Sequence, residues 1–242
     1  MTETSSEDPG HGDTRQGLAG DTRNNWPIPW KVRLFRACAR PVFRILFHIL
    51  SRIEIDGLEN VPKHGSYLVA CNHISIYEPP LVLAFWPRVL EVAAGVDVFD
   101  RPQQGRLVRL YGSLPVHRGE FDRELLESMV TMLKAGRSVL IFPEGGRSHS
   151  PGLRQAWHGT SYVAARASVD VVPVAVSGTE SLGGAIRDRR RAPLRLSIGP
   201  ALGAPSIDLR SPGRKSALVS HTETIMRSIG TLLPEAYRGV YG

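Results

Sequence analysis

Short apolar runs alternate with segments of helical periodicity along most of the chain. The runs that read as strands are Ser66–His73, Leu90–Val96, Leu114–Gly119, Ser138–Gly145, Asp170–Thr179 and Leu194–Gly199. The segments that read as helices are Pro80–Trp86, Phe121–Ala135, Thr160–Ser168 and Ser216–Leu233. Apolar strands that alternate with helices are typical of parallel sheets buried on both faces. The pattern therefore predicts an α/β fold with a largely parallel central sheet covered by helices on both faces.

The amino-terminal part of the chain has a different character and predicts two further segments. Residues 1–25 are rich in Gly, Ser, Thr and Asp, and such a composition predicts a disordered tail. Residues 26–50 hold no Asp or Glu, and their basic positions recur every three or four residues, at Arg33, Arg36, Arg40, Arg44 and His48. This pattern favours amphipathic helices in a membrane interface, with a kink or a second helix at Pro41. The alternative is an ordinary amphipathic helix packed on the domain formed by residues 51–242.

Charge and composition narrow the class of protein. The net charge of +7 suits nucleic acid, an anionic membrane or an acidic ligand. The arginines alternate with large aliphatic residues rather than with stacking aromatic residues, which disfavours nucleic acid. No apolar run is long enough to span a bilayer, and the opening residues do not resemble a secretory signal. The two cysteines, Cys38 and Cys71, cannot form a disulfide framework or a structural zinc site, so we expect a reduced, cytoplasmic protein.

Polar residues that could carry chemistry follow the predicted strands, where a parallel sheet brings them to one edge. His73 ends the first run, and Glu78 follows it by five positions. Pro79 and Pro80 are predicted to keep Glu78 in a turn outside the next helix, so that its carboxylate can fold back onto the imidazole. A histidine oriented by a carboxylate is a general base for a hydroxyl proton. A purely structural histidine is an equally open interpretation of these two residues alone.

A second polar segment, FPEGGRS at Phe142–Ser148, ends another predicted strand. Gly145 allows the backbone to approach a ligand closely, and Arg147 can bind a phosphate through two hydrogen bonds. Glu144 can position Arg147 or accept a hydrogen bond from a substrate hydroxyl. The alternative is a β-turn with a surface ion pair. The sequence holds no G-x-S-x-G, P-loop or H-E-x-x-H motif, which disfavours serine hydrolases, nucleotide-triphosphate enzymes and zinc proteases.

Taken together, these segments resemble the PlsC-like glycerolipid acyltransferases, also called lysophosphatidic acid acyltransferases. The four segments that resemble the family's motifs, in the same order, are Asn72–Pro80, Gly112–Gly119, Phe142–Ser148 and Val171–Thr179. The resemblance covers roughly residues 50–242 and implies a glycerol-3-phosphate acyltransferase-like fold. It also implies transfer of an acyl group from acyl-CoA or acyl carrier protein to a lysophospholipid, by default 1-acylglycerol-3-phosphate. The implied enzyme uses no metal or bound cofactor and works as a peripheral protein on the cytoplasmic face of a membrane.

The resemblance also implies roles for individual residues. His73 becomes the general base and Glu78 the acid beside it. The implied ligands of the acceptor's glycerophosphate are Arg118, Glu144, Gly145 and Arg147. Glu78 departs from the usual Asp by one methylene, about 1.5 Å of reach, and Trp157-His158-Gly159 stands where many members have a Lys. These departures leave two alternatives open: an amino-lipid or glycolipid acceptor, or a lipid-binding relative without activity.

Overall fold

The computed structural model describes residues 27–116, 122–148 and 152–242. The predicted tail at residues 1–25 lies outside the described residues, and so does Arg118. The strands are β1 Ser51–Asp56, β2 Leu68–Cys71, β3 Leu90–Gly95, β4 Leu114–Val116, β5 Ser138–Ile141, β6 Val171–Ser177 and β7 Ala192–Ile198. The helices are α1 Trp30–Leu50, α2 Glu78–Phe85, α3 Val96–Phe99, α4 Pro102–Tyr111, α5 Arg123–Lys134, α6 Gly159–Ala167, α7 Thr179–Arg187 and α8 Arg214–Leu232.

The strands form one sheet in the order β1-β7-β6-β2-β5-β3-β4. From β6 to β4 all neighbours are parallel, whereas β7 is antiparallel to β6 and carries β1 beside it. The predicted largely parallel sheet is confirmed. Strand β1 was not predicted, because its exposed Arg52 and Glu54 alternate with half-buried Ile53 and Ile55 at the sheet edge. The carboxyl ends of the parallel strands, including those of β2, β5 and β6, meet at one edge of the sheet.

Helices cover both faces of the sheet, as the sequence predicts. Strand β2 shows the two layers, since Val69 and Cys71 lie in one buried cluster and Leu68 and Ala70 in the other. Helices α1, α2 and α7 pack against the first cluster, and α5, α6 and α8 contribute to the second. Successive side chains of a strand point to opposite faces of the sheet, so a strand covered on both faces must be apolar throughout.

The amino-terminal segment is one continuous helix, α1, so the second helix considered at Pro41 is not present. Pro41 and Ala37 both lie on the exposed side, where water can reach the carbonyl that loses its hydrogen bond. The outward side, here called the apolar face of α1, carries exposed Trp30, Leu34, Val42, Ile45, Leu46 and Ile49. Among the described helices, none is long and apolar enough to cross a membrane.

Part of the basic stripe of α1 points into the domain rather than outward. Arg36 is 3% exposed, and its Nη1 and Nη2 donate to the two carboxylate oxygens of Glu91 over 2.8 and 2.7 Å. Arg137 also pairs with Glu91, and Arg36 Nε donates to the carbonyl of Tyr111 over 2.9 Å. Burial by itself raises the pKa of Glu91, but the hydrogen bonds and charges of Arg36 and Arg137 bring it below its usual range. Helix α1 is therefore joined to β3 by a buried ion pair.

We expect Arg36→Met to lower the free energy of unfolding by about 3–5 kcal/mol, because it leaves the buried Glu91 carboxylate without its bidentate partner. Urea unfolding at about pH 7 measures the loss. The control is Arg33→Met, at an exposed position of the same helix, which should change stability by less than about 0.5 kcal/mol.

The same variant should show a pH dependence with a definite sign. The folded-state pKa of Glu91 is lowered, so the ion pair stabilises the protein above the ordinary carboxyl pKa and loses that effect as the pH falls. The difference between wild type and Arg36→Met should therefore shrink toward about pH 3. An equal difference at both pH values would assign the loss to packing and contradict the ion-pair explanation.

Candidate active site

The end of β2 is fixed to its neighbour by the side chain of Asn72. Asn72 Nδ2 donates to the carbonyl of Val176 over 2.9 Å, and Asn72 Oδ1 accepts from the Val176 amide over 2.8 Å. This pair continues the parallel ladder between β2 and β6 by one more step. The next residue, His73, therefore leaves the sheet in a defined direction.

The backbone of His73 is held from both sides by the segment that follows β5. The His73 amide donates to Glu144 Oε1 over 2.9 Å, and its carbonyl accepts from the Ser148 amide over 2.8 Å. The imidazole stacks on the Phe142 ring with the ring centroids 4.4 Å apart. His73 is 7% exposed and lines a cavity of the described structure. The structure thus places the first and third motif segments in direct contact.

The structure brings His73 and Glu78 together, with 2.9 Å between His73 Nδ1 and Glu78 Oε2. The predicted backbone at Glu78 is wrong, however, because Glu78 is the first residue of α2 and does not lie in a turn. Pro79 and Pro80 follow it in the first helical turn, where the amides have no partner within the helix and proline is tolerated. Residues 74–77 fold the chain back instead. The Glu78 side chain, one methylene longer than Asp, therefore reaches the imidazole.

The Glu78 carboxylate is completely buried and has further hydrogen-bond donors. The Ser75 amide donates to both oxygens over 2.9 and 2.8 Å, and the Thr179 hydroxyl donates to Oε1. A carboxylate in this position accepts a hydrogen bond from the N–H group at His73 Nδ1. In this tautomer the free lone pair of the ring is on Nε2. Thr179 begins α7 directly after β6 and was not identified as a site residue from the sequence. Its position at the end of the fourth motif was the available signal.

Glu144 has a different place from the expected one. Its Oε1 is bound by the His73 amide and its Oε2 by the Arg154 amide at 3.0 Å, and the residue is 3% exposed. It is not among the residues that line the cavity. Burial raises the pKa of Glu144, and the hydrogen bonds from Arg154 and His73 oppose that rise. The Arg154 guanidinium also donates to the carbonyls of Glu144 and Gly146. This geometry joins two loops and does not present Glu144 to a ligand.

The cavity beside His73 has a volume of about 790 Å³ and a mostly apolar wall. Arg147 and Gly145 line it, as expected of ligand-binding residues, and Arg147 is half-buried. Gly145 has φ +68°, and a Cβ atom there would lie 2.8 Å from the Trp157 ring, so the turn requires glycine. Trp157 is largely exposed and lines the cavity as well. The site therefore combines the His73 imidazole, the Arg147 guanidinium and a mostly apolar volume.

A buried histidine–carboxylate pair lies at the carboxyl edge of this α/β sheet, and such a pair is the usual arrangement of a general base for hydroxyl protons. Comparison with known proteins gives the family. The model of the Acyltransferase family matches residues 52–177, and the chain belongs to this family.

Individual relatives agree with this assignment. The chain is 29% identical over 154 residues to the chloroplastic 1-acyl-sn-glycerol-3-phosphate acyltransferase of Arabidopsis thaliana, covering 62% of this chain and 43% of that protein. It is 36% identical over 146 residues to the lyso-ornithine lipid O-acyltransferase of Pseudomonas aeruginosa, covering 60% and 51%. The chain thus spans about half the length of these curated relatives.

A solved structure is similar to this fold. It is the 1-acyl-sn-glycerophosphate acyltransferase PlsC of Thermotoga maritima, with a TM-score of 0.59 and 21% identity. The match covers 80% of both chains and confirms the predicted fold class.

We expect Thr179→Val to lower the free energy of unfolding by about 1–3 kcal/mol, because the buried Glu78 carboxylate loses one of its donors while the side-chain volume is kept. Thr179→Ser retains the hydroxyl and serves as the matched control. Urea unfolding of the three proteins measures the difference. Equal stability of the Val and Ser variants would show that the hydroxyl does not support Glu78.

Proposed function

We propose that the protein transfers an acyl group from a thioester donor to the free hydroxyl of a lysophospholipid. The observation that carries this proposal is that His73, paired with Glu78, lies on the wall of a cavity large and apolar enough for an acyl chain. The Arabidopsis and Pseudomonas relatives support it, since one is a 1-acyl-sn-glycerol-3-phosphate acyltransferase and the other a lyso-ornithine lipid O-acyltransferase. The donor is acyl-CoA or acyl carrier protein, and the proposal needs no bound cofactor.

In the proposed reaction His73 Nε2 takes the hydroxyl proton while the oxygen attacks the thioester carbonyl. The C–O bond forms, the C–S bond then breaks, and the imidazolium returns the proton to the leaving thiolate. Glu78 stabilises the imidazolium and keeps the ring in the required tautomer. Negative charge that develops on the carbonyl oxygen needs hydrogen-bond donors. The amides of Gly146 and Arg147 are suited to this, since neither bonds to another described backbone carbonyl.

The acceptor we propose first is 1-acylglycerol-3-phosphate, which would give phosphatidate for phospholipid biosynthesis. Arg147 supports this choice, because a half-buried guanidinium on the cavity wall can bind a phosphate bidentately. Arg118 stays a prediction for the same role. A second acceptor class, an amino-lipid, is favoured by the 36% identity to the lyso-ornithine lipid enzyme and by Trp157-His158 in place of a lysine.

We further propose that α1 binds the protein peripherally to the anionic cytoplasmic surface of a membrane. The apolar face of α1 supports this, because six large apolar side chains along one side of the helix are exposed to water. Lys31 and Arg33 are exposed beside it and suit anionic headgroups. A second group of basic residues lies at Arg187, Arg189, Arg190 and Arg191. It is a weaker candidate for binding an acidic carrier protein than α1 is for binding a membrane, since Arg191 already donates to the carbonyls of His48 and Ser51.

We expect His73→Ala to lower acyl transfer by a factor of about 10²–10⁴, the usual contribution of a general base. The assay offers labelled acyl-CoA and acyl carrier protein with lysophosphatidate, lyso-ornithine lipid and a lysoglycolipid in vesicles. The matched control is His64→Ala, at an exposed histidine before β2, at the opposite end of that strand from His73. Turnover of His73→Ala within tenfold of wild type would exclude the proposed base. No transfer by the wild-type protein to any acceptor would favour a lipid-binding protein without activity.

We expect Ile45→Ser combined with Ile49→Ser to weaken binding to phosphatidylglycerol vesicles by at least about tenfold, since both side chains are more than half exposed and would enter the lipid. Co-sedimentation with vesicles measures the change. Val240→Ser, at an exposed apolar position outside α1, is the control. Unchanged sedimentation of the double variant would contradict docking through α1.

A further inference from the structure

Helix α4 lies beside α1 and is held there by close contacts. The carbonyl of Tyr111, the last residue of α4, accepts a hydrogen bond from Arg36 of α1. A Cβ at Gly112 would lie 3.1 Å from the Val32 side chain, so the end of α4 is in contact with the first half of α1. Gly105 packs so closely on the Phe99 carbonyl that any Cβ would clash at 2.1 Å. The orientation of α4 is therefore fixed by the fold.

The outer side of α4 has the same chemistry as the exposed side of α1. Leu107 and Leu110 are 43% and 51% exposed, and Arg106 and Arg109 are exposed next to them. The helix PQQGRLVRLY contains no Asp or Glu. Exposed leucines with neighbouring arginines and no acidic residue are complementary to a bilayer with anionic headgroups. Helix α4 also lies beside α1, the helix that we propose to bind the membrane.

The cavity connects these outer surfaces with the site. Phe35 and Phe43 of α1 form part of its wall, and Gln104, Leu107 and Val108 of α4 form another part. Leu107 lines the cavity and is also exposed to solvent, so it lies on the rim. His73 lines the same cavity. An apolar path therefore leads from the surface at α4 to the imidazole.

We propose that α4 is a second membrane-binding element and that α1 and α4 together form a lipid-facing entrance to the cavity. An acyl chain then passes from the bilayer between the two helices without crossing water. This inference rests on the proposed lipid acyl transfer and adds to it the route by which the lipid arrives. The occupant of the α4 surface is an anionic bilayer, because the surface is apolar and basic and α4 lies beside α1, the proposed membrane-binding helix.

Fluorescent labels on cysteine test the proposal. Cys38 is exposed on α1, whereas Cys71 is fully buried and burial raises the pKa of its thiol, so wild type labels at one position. A Cys38→Ser protein with Leu110→Cys reports on α4. A Cys38→Ser protein with Arg227→Cys, at an exposed position of α8 on the opposite layer, is the matched control. The vesicles are phosphatidylglycerol with a nitroxide quencher in the acyl chains.

We expect quenching at position 110 comparable with that at position 38 and none at position 227. Quenching at 38 without quenching at 110 overturns the role of α4 and leaves docking through α1 intact. Absence of quenching at all three positions contradicts the membrane docking itself. If the label at position 110 already shows the emission of a buried probe before vesicles are added, it contacts protein, and this result also overturns the inference.

An affinity measurement checks the same proposal without a label. Leu110→Ser should weaken binding to phosphatidylglycerol vesicles by roughly tenfold, as expected when a leucine no longer enters the lipid. Leu58→Ser, at a similarly exposed leucine after β1, should leave the affinity unchanged. Equal affinity of the Leu110→Ser variant and wild type would contradict insertion of α4.

Discussion

Two buried carboxylates determine where the imidazole of this protein stands. A carboxylate removed from water costs several kcal/mol unless hydrogen-bond donors surround it. Glu78 is satisfied by His73, Ser75 and Thr179, and Glu144 by the amides of His73 and Arg154. These donors come from loops after β2, β5 and β6, which adjoin each other because the strands are parallel. The arrangement of the loops that satisfies both carboxylates is therefore also the arrangement that orients the base.

The basic residues of α1 also satisfy buried or unpartnered acceptors, here on one face of the sheet. Arg40 and Arg44 donate to the carbonyls of Trp86 and Ala84 at the end of α2, where a helix leaves its last carbonyls without partners. Arg36 neutralises Glu91 in the core. Three of the arginines of α1 are thereby bonded to the protein, and the large apolar side chains remain outside. A helix with arginines bonded to the protein and isoleucines exposed fits the proposed contact with lipid.

Much of this architecture could be predicted, because strands covered on both faces must be apolar and stand out as short runs. The meeting of His73 with Glu78 was also predictable, although the preference of residues before proline for extended backbone gave the wrong conformation at Glu78. Helix α4 was missed because Gly105 and several polar residues weaken its periodicity. The partners of Arg36 and Thr179 could not be found, since Glu91 and Glu78 lie 55 and 101 positions away in the chain. Pairings over such distances depend on the finished topology and leave no local signal.

The construction of α1 has a practical consequence for anyone who wants this protein free of detergent. Removal of an amphipathic leader is a common route to a water-soluble variant, and here that route would uncover the Glu91 carboxylate and the last carbonyls of α2. The truncated chain would be expected to aggregate through the cavity, because the removed helix takes Phe35 and Phe43 of the cavity wall with it. A soluble variant for crystallisation or screening should instead keep the helix and exchange its outward side chains for glutamate and lysine. Such a redesign changes only exposed side chains and keeps the hydrogen bonds from Arg40 and Arg44 to the end of α2.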